Sequence, residues 1–116
     1  MSELLATRGR AGLARMQAGS PEFEKVELVL PNIVFDDEMT LTVGNKTFLM
    51  WSSPGHSPDS MACLVQDAGV LFATDTVMPI PYFVDGNFSD FLSSLAKIQQ
   101  FSLENIIQGH GEVVLR

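Results

Sequence analysis

One cysteine, one tryptophan, one tyrosine and two histidines make up a short list of chemically versatile side chains for 116 residues. A lone cysteine excludes an internal disulfide. Cys63, set among Met61, Ala62, Leu64 and Val65, reads as a buried, inert thiol in an apolar strand rather than a reactive one. Basic residues are also scarce, seven Lys and Arg against fourteen Asp and Glu, for a net charge of −7. Arg8, Arg10 and Arg15 fall in the first sixteen positions, which leaves four basic residues against thirteen acidic ones afterwards. A body of that sign repels nucleic acid backbones and anionic membranes, and the basic start reads as a solvated helix face. No apolar run approaches the roughly 18 to 20 residues of a membrane helix, and no signal-like apolar block opens the chain. Neither Gly-x-Gly-x-x-Gly nor Gly-x-x-x-x-Gly-Lys occurs, which argues against nucleotide chemistry. We therefore expect a soluble, cytoplasmic protein that engages neither nucleic acid nor membrane.

What is present is a globular composition, 46% apolar and 18% charged, of a length that fits one domain spanning residues 1–116. Ser2 before Glu3-Leu4-Leu5-Ala6 predicts a helix start, and Leu5, Leu13 and Met16 can share one face until Gly19-Ser20-Pro21 ends it. Phe23, Val26, Leu28 and Leu30 predict an extended segment. Met39, Leu41 and Val43 alternate with Thr40 and Thr42, and after the turn Gly44-Asn45-Lys46 comes a second apolar run from Thr47 to Trp51. Residues 39–51 are thus expected to form a β-hairpin. Residues 61–66 and Val70 to Ala73 predict two further strands, apolar on both faces as central strands are. Pro79, Pro81 and Asp85-Gly86 make residues 77–86 a loop. Ser89 is expected to cap a helix from Asp90 to Phe101, with Phe91, Leu95 and Ile98 on its inner stripe, and Asn105 to Gln108 to form a short last strand.

The chemistry-bearing residues fall between these elements. His56 sits in Pro54-Gly55-His56-Ser57-Pro58-Asp59-Ser60, a turn-rich loop, and His110 sits in Gly109-His110-Gly111 directly after the last strand. Asp75 follows the run Gly69 to Thr74. Neutral imidazoles and a carboxylate at strand ends suit zinc, and also manganese or iron, with the acid able to bridge two ions. A loop histidine bonded to backbone would explain either position without metal. A serine nucleophile, Ser53 or Ser57 beside His56 with Asp75, is the other chemical reading, although nothing resembles Gly-x-Ser-x-Gly. Tyr82 and Phe83 are candidates to line a substrate pocket, or equally to form a small core within their own loop.

Taken in order, Pro54 to Ser60, an apolar strand pair, Phe72-Ala73-Thr74-Asp75-Thr76, a helix and Gln108-Gly109-His110-Gly111-Glu112-Val113 resemble the second half of the metallo-β-lactamase superfamily, over roughly residues 23–115. The resemblance implies an α/β fold, half of an αββα sandwich, with a mixed, mostly antiparallel sheet of five to seven strands and two or three helices. It implies that His56 completes a three-histidine site, that Asp75 bridges two metals, and that His110 ligates the second. Asp59 stands where many members carry glycine. The family's His-x-His-x-Asp-His motif would lie before this region, yet no histidine precedes His56, and residues 1–19 resemble the helix that follows the motif. The expectation is a metal-dependent hydrolase of small-molecule substrates present as a partial domain, its zinc site incomplete and its activity absent without a partner that supplies the missing half. Because half a sandwich leaves apolar sheet uncovered, a homo-oligomer is expected as well. The alternatives are a non-catalytic assembly module that kept the half-fold, or a truncated product of a full-length hydrolase.

Overall fold

A computed structural model of the chain describes residues 2–115, and the side chains of residues 6–115. It divides into two compact units, one ending at Val34 and one beginning at Phe35. In the first, helix α1 (Ser2–Gly19) is followed by a 3₁₀ turn, Pro21–Phe23, so Phe23 closes a turn rather than opening an extended segment. The segment after it forms no strand. Its path is fixed from the helix: the Gln17 side-chain amide donates to the carbonyls of Phe23, Glu24 and Val26 at 3.1–3.4 Å, and Leu28 packs against Gly9. Leu13 is half-buried and Met16 exposed, while the side chains of Ser2 and Leu5, expected as cap and apolar contact, lie outside the described residues.

The second unit is a six-stranded sheet in sequential order: β1 (Glu38–Val43), β2 (Lys46–Ser52), β3 (Met61–Val65), β4 (Val70–Thr74), β5 (Asn105–Gln108) and β6 (Val114–Leu115). All neighbours are antiparallel except β4 and β5, which run parallel because helix α2 (Phe88–Ile98) carries the chain back between them. The fold is therefore α/β with a mixed, mostly antiparallel sheet and two helices. Strand alternation sends Leu49, Trp51, Ala62, Leu64, Leu71 and Ala73 to one face, where with Ile98 of α2 they form the core. Trp51, fully buried, stacks on Phe101 with ring centroids 5.0 Å apart, and the Lys97 ammonium lies 5.4 Å from its ring centre.

The cross-strand register puts Met39, Leu41, Phe48, Met50, Cys63 and Phe72 on the opposite face. Leu41 and Phe72 there are exposed, so the expected burial of both faces of β4 holds only for Leu71 and Ala73. Cys63 is half-buried on that face, and desolvation pushes its thiol above the ordinary value. Helix α2 starts two residues before the expected position: Asn87, not Ser89, is the cap, its side-chain oxygen accepting from the Asp90 N–H at 2.9 Å. Asparagine is as good a cap as serine and lies at the extended position that the geometry requires. The inner stripe is Phe91, Ser94 and Ile98, with Leu95 only half-buried.

Candidate metal centre

Strands β2, β4 and β5 point the same way, so their C-terminal ends share one sheet edge, the edge at which open α/β sheets bind ligands. The loop after β2 carries His56, the turn after β4 carries Asp75, and the turn after β5 carries His110. The three sequence-predicted ligands converge there. His56 Nε2 lies 3.6 Å from Asp75 Oδ2, and His110 Nε2 lies 3.5 Å from Asp75 Oδ1. Each carboxylate oxygen thus faces one imidazole. The residues line up along the carboxylate and do not close on one point: among the described residues, no group of three or more His, Cys, Asp or Glu surrounds a single position for a metal ion. The donor types fit a divalent metal, but each of two ions would receive one histidine and a share of Asp75, short of the usual three protein ligands.

Asp75 is fixed from both sides. Thr74 sits in the left-handed region at φ 49°, a conformation that costs a residue with a Cβ roughly 1 kcal/mol, and its hydroxyl donates to the Met61 carbonyl at 2.7 Å. The same turn shifts the β4–β5 register between Phe72 and Thr74. On the other side, the Thr76 hydroxyl, almost fully buried, donates towards the Ser53 hydroxyl at 2.9 Å and the Ser53 carbonyl at 3.2 Å. Beneath the carboxylate lies Gly109, whose N–H donates to Thr74 O at 2.7 Å; a side chain there would occupy the place of Asp75 Oδ1. Past it, the Gln108 amide donates to the Glu112 carbonyl and braces the turn that presents the exposed His110.

His56 is buried, and its Nδ1 lies 2.9 Å from the Tyr82 carbonyl oxygen. Its loop is held to α2 by the Ser94 hydroxyl, which donates to Pro54 O at 2.7 Å, and is closed internally by Ser57, Asp59 and Ser60. Asp59 accepts from the Ser57 hydroxyl at 2.7 Å. The serine-nucleophile reading loses its geometry here: Ser57 is engaged with Asp59 and Ser60, and Ser53 is fully buried against Thr76. Tyr82 stands edge-on to His56 with ring centroids 4.8 Å apart, while Phe83 packs edge-on against Phe88 and Phe91. Phe83 thus leans on α2 rather than on its own loop, and both aromatic residues remain exposed.

Sequence reasoning missed Asn87 as a cap, named Ser53 only as a nucleophile candidate, and quoted Thr76, Gly86 and Gly109 within motifs without the supporting roles they have here. Only the glycine beside His110 carried a usable signal, since a glycine next to a ligand marks close backbone approach.

A partial α/β layer with a histidine–carboxylate–histidine row at the C-terminal edge of its sheet defines the class of this chain. No family model matches it. The chain is 29% identical over 79 residues to the beta-lactamase-like protein 2 homolog of Caenorhabditis elegans, covering 68% of this chain and 27% of that protein. It is 31% identical over 78 residues to an atrochrysone carboxyl ACP thioesterase of Aspergillus fumigatus, covering 67% and 25%. Among solved structures, the BLEG-1 B3 metallo-beta-lactamase superposes with a TM-score of 0.65 at 29% identity, over 72% of this chain and 43% of that one. A protein described in a di-iron-bound form, 21% identical, shares the fold with a TM-score of 0.62 over 75% and 44%. The chain belongs to the metallo-β-lactamase superfamily, of whose fold it carries a part, and it spans about a quarter of the length of the curated relatives it matches. Among the described residues no helix is long and apolar enough to cross a membrane.

Proposed function

We propose that the chain is the partial domain of a metal-dependent hydrolase, with His56, Asp75 and His110 as one half of a two-metal site. The observation that carries this reading is the placement of one imidazole nitrogen against each oxygen of a single carboxylate, at 3.5 and 3.6 Å. His56 with Asp75 would hold one ion and His110 with Asp75 the other, zinc first, with iron or manganese as alternatives. Such an ion supplies a water whose pKa falls to about 7, the reagent for cleaving a thioester, ester, lactam or phosphoester. Two protein donors per ion make the site incomplete, so activity requires a partner that brings the missing ligands. The open sheet face carrying Leu41 and Phe72 supports association, with a second copy or with that missing half.

Elemental mass spectrometry on protein purified without chelator, read together with light scattering, tests this. About one metal per chain, lost in Asp75→Ala, on an oligomer, is expected. Less than about a tenth of a metal per chain after incubation with excess zinc, on a clean monomer, overturns it and leaves the second reading, a non-catalytic assembly module. That second reading is favoured by the exposure of His110.

A further inference from the structure

The loop from Val77 to Gly86 does more than border the candidate centre. It clamps His56 through two reciprocal hydrogen bonds: the imidazole Nδ1 lies 2.9 Å from the Tyr82 carbonyl oxygen, and the Val84 N–H donates to the His56 carbonyl. A carbonyl oxygen can only accept, so the contact to Tyr82 requires the proton on Nδ1. The clamp is held shut from three directions. The Tyr82 ring stands edge-on against the imidazole, Phe83 is anchored on Phe88 and Phe91 of α2, and Gly86 passes so close to the His56 loop that a Cβ there would collide with the carbonyls of Gly55 and His56.

We infer that the Tyr82–Gly86 segment is a positioning element that holds neutral His56 as its Nδ1–H tautomer, leaving the Nε2 lone pair directed at the Asp75 side of the site. Free imidazole side chains prefer the opposite tautomer, so the loop's backbone works against an intrinsic bias. A histidine that binds metal through one nitrogen almost always donates its other N–H to a carbonyl or carboxylate, and that partner fixes ring orientation. The Asp75 carboxylate faces Nε2 at 3.6 Å, longer than a hydrogen bond, so the 2.9 Å contact to the Tyr82 carbonyl decides the tautomer; only its use, presentation of Nε2 to a metal, rests on the function proposed above. The Tyr82 carbonyl sets the tautomer while its ring only packs on the imidazole, so the tautomer should survive loss of the ring.

Long-range ¹H–¹⁵N correlation spectra of the full, metal-stripped chain at about pH 8.5, roughly two units above the ordinary imidazole value, read the tautomer directly. With only two histidines, a His110→Ala variant assigns both. His56 is expected to show a protonated Nδ1 and an unprotonated Nε2, unchanged in Tyr82→Ala and lost in Gly86→Ala, where zinc affinity should also fall about 10- to 100-fold. A proton on His56 Nε2 in the unmutated chain, alone or with one on Nδ1, overturns the inference even if Gly86→Ala does not fold. An Nδ1–H tautomer in a chain that takes up no zinc upholds this inference and defeats the metal reading instead.

Discussion

The Ser53–Thr76 contact lies directly behind Asp75, and its removal gives a prediction that can be worked from the structure. Ser53 is fully buried and Thr76 nearly so, and the Thr76 hydroxyl sits 2.9 Å from Ser53 Oγ and 3.2 Å from Ser53 O. Thr76→Val keeps the volume and removes the only polar atom of that side chain. Ser53 is then left with a hydroxyl and a carbonyl that have lost a buried donor, at a cost of about 1 to 3 kcal/mol. Ser53→Ala alone should cost less, since the Thr76 hydroxyl retains the Ser53 carbonyl as acceptor. The double variant removes both hydroxyls together, so it should be less destabilised than the two single changes added, with a coupling energy of about 0.5 to 1.5 kcal/mol. Urea unfolding followed by Trp51 fluorescence measures all four corners of the cycle, and calorimetry should show a drop of about 4 to 8 °C for each kcal/mol lost in a unit of this size. Single variants within 0.5 kcal/mol of the parent, adding without coupling, would refute the view that this pair is a closed buried hydrogen bond beneath the site.

Two further outcomes are expected. Asn87→Ala removes the side-chain acceptor of the Asp90 N–H and should destabilise the second unit by about 1 kcal/mol, measured by the same unfolding curves, whereas Ser89→Ala should change little. Cys63, whose thiol burial holds above its ordinary value, should alkylate slowly at neutral pH in the native chain and at the normal rate in denaturant. In the pH direction, the unfolded state releases this proton first, so the stability gained from keeping the thiol neutral is whole below the ordinary thiol value and declines as pH rises past it. Iodoacetamide rates against pH, native and denatured, check both statements.

The strands were legible because their period and their turn residues agree: Met39, Leu41 and Val43 alternate around Thr40 and Thr42, and β1 and β2 form within a residue of the expected limits. Helix α2 was legible as an element but not at its start, because Asn87 and Ser89 are both good caps and only backbone geometry chooses between them. Strand β6, Val114–Leu115, could not be read, being two residues that acquire strand character only from pairing with β5. The convergence of His56, Asp75 and His110 was anticipated from the resemblance, since their separation along the chain says nothing about distance until β2, β4 and β5 are known to run the same way. The supports beneath the site were invisible for a different reason. Ser53, Thr76 and the Tyr82 carbonyl act through ordinary polar groups that any loop contains, and their role exists only once the turns have closed.

The strand order also sets which part of the row is most easily undone. His56 and Asp75 come from the meander β2–β3–β4, where each strand pairs with its immediate successor, whereas His110 depends on β5 reaching β4 across α2 and lies beside the two-residue strand β6. Opening of β5 and β6 alone would detach His110 while leaving the His56–Asp75 contact in place, and exposed β6 with short, half-buried β5 beside it opens at lower cost than the buried middle of the sheet. The two ends of the histidine–carboxylate row thus differ in lifetime, and amide exchange should find the protons of β5 released before those of β3.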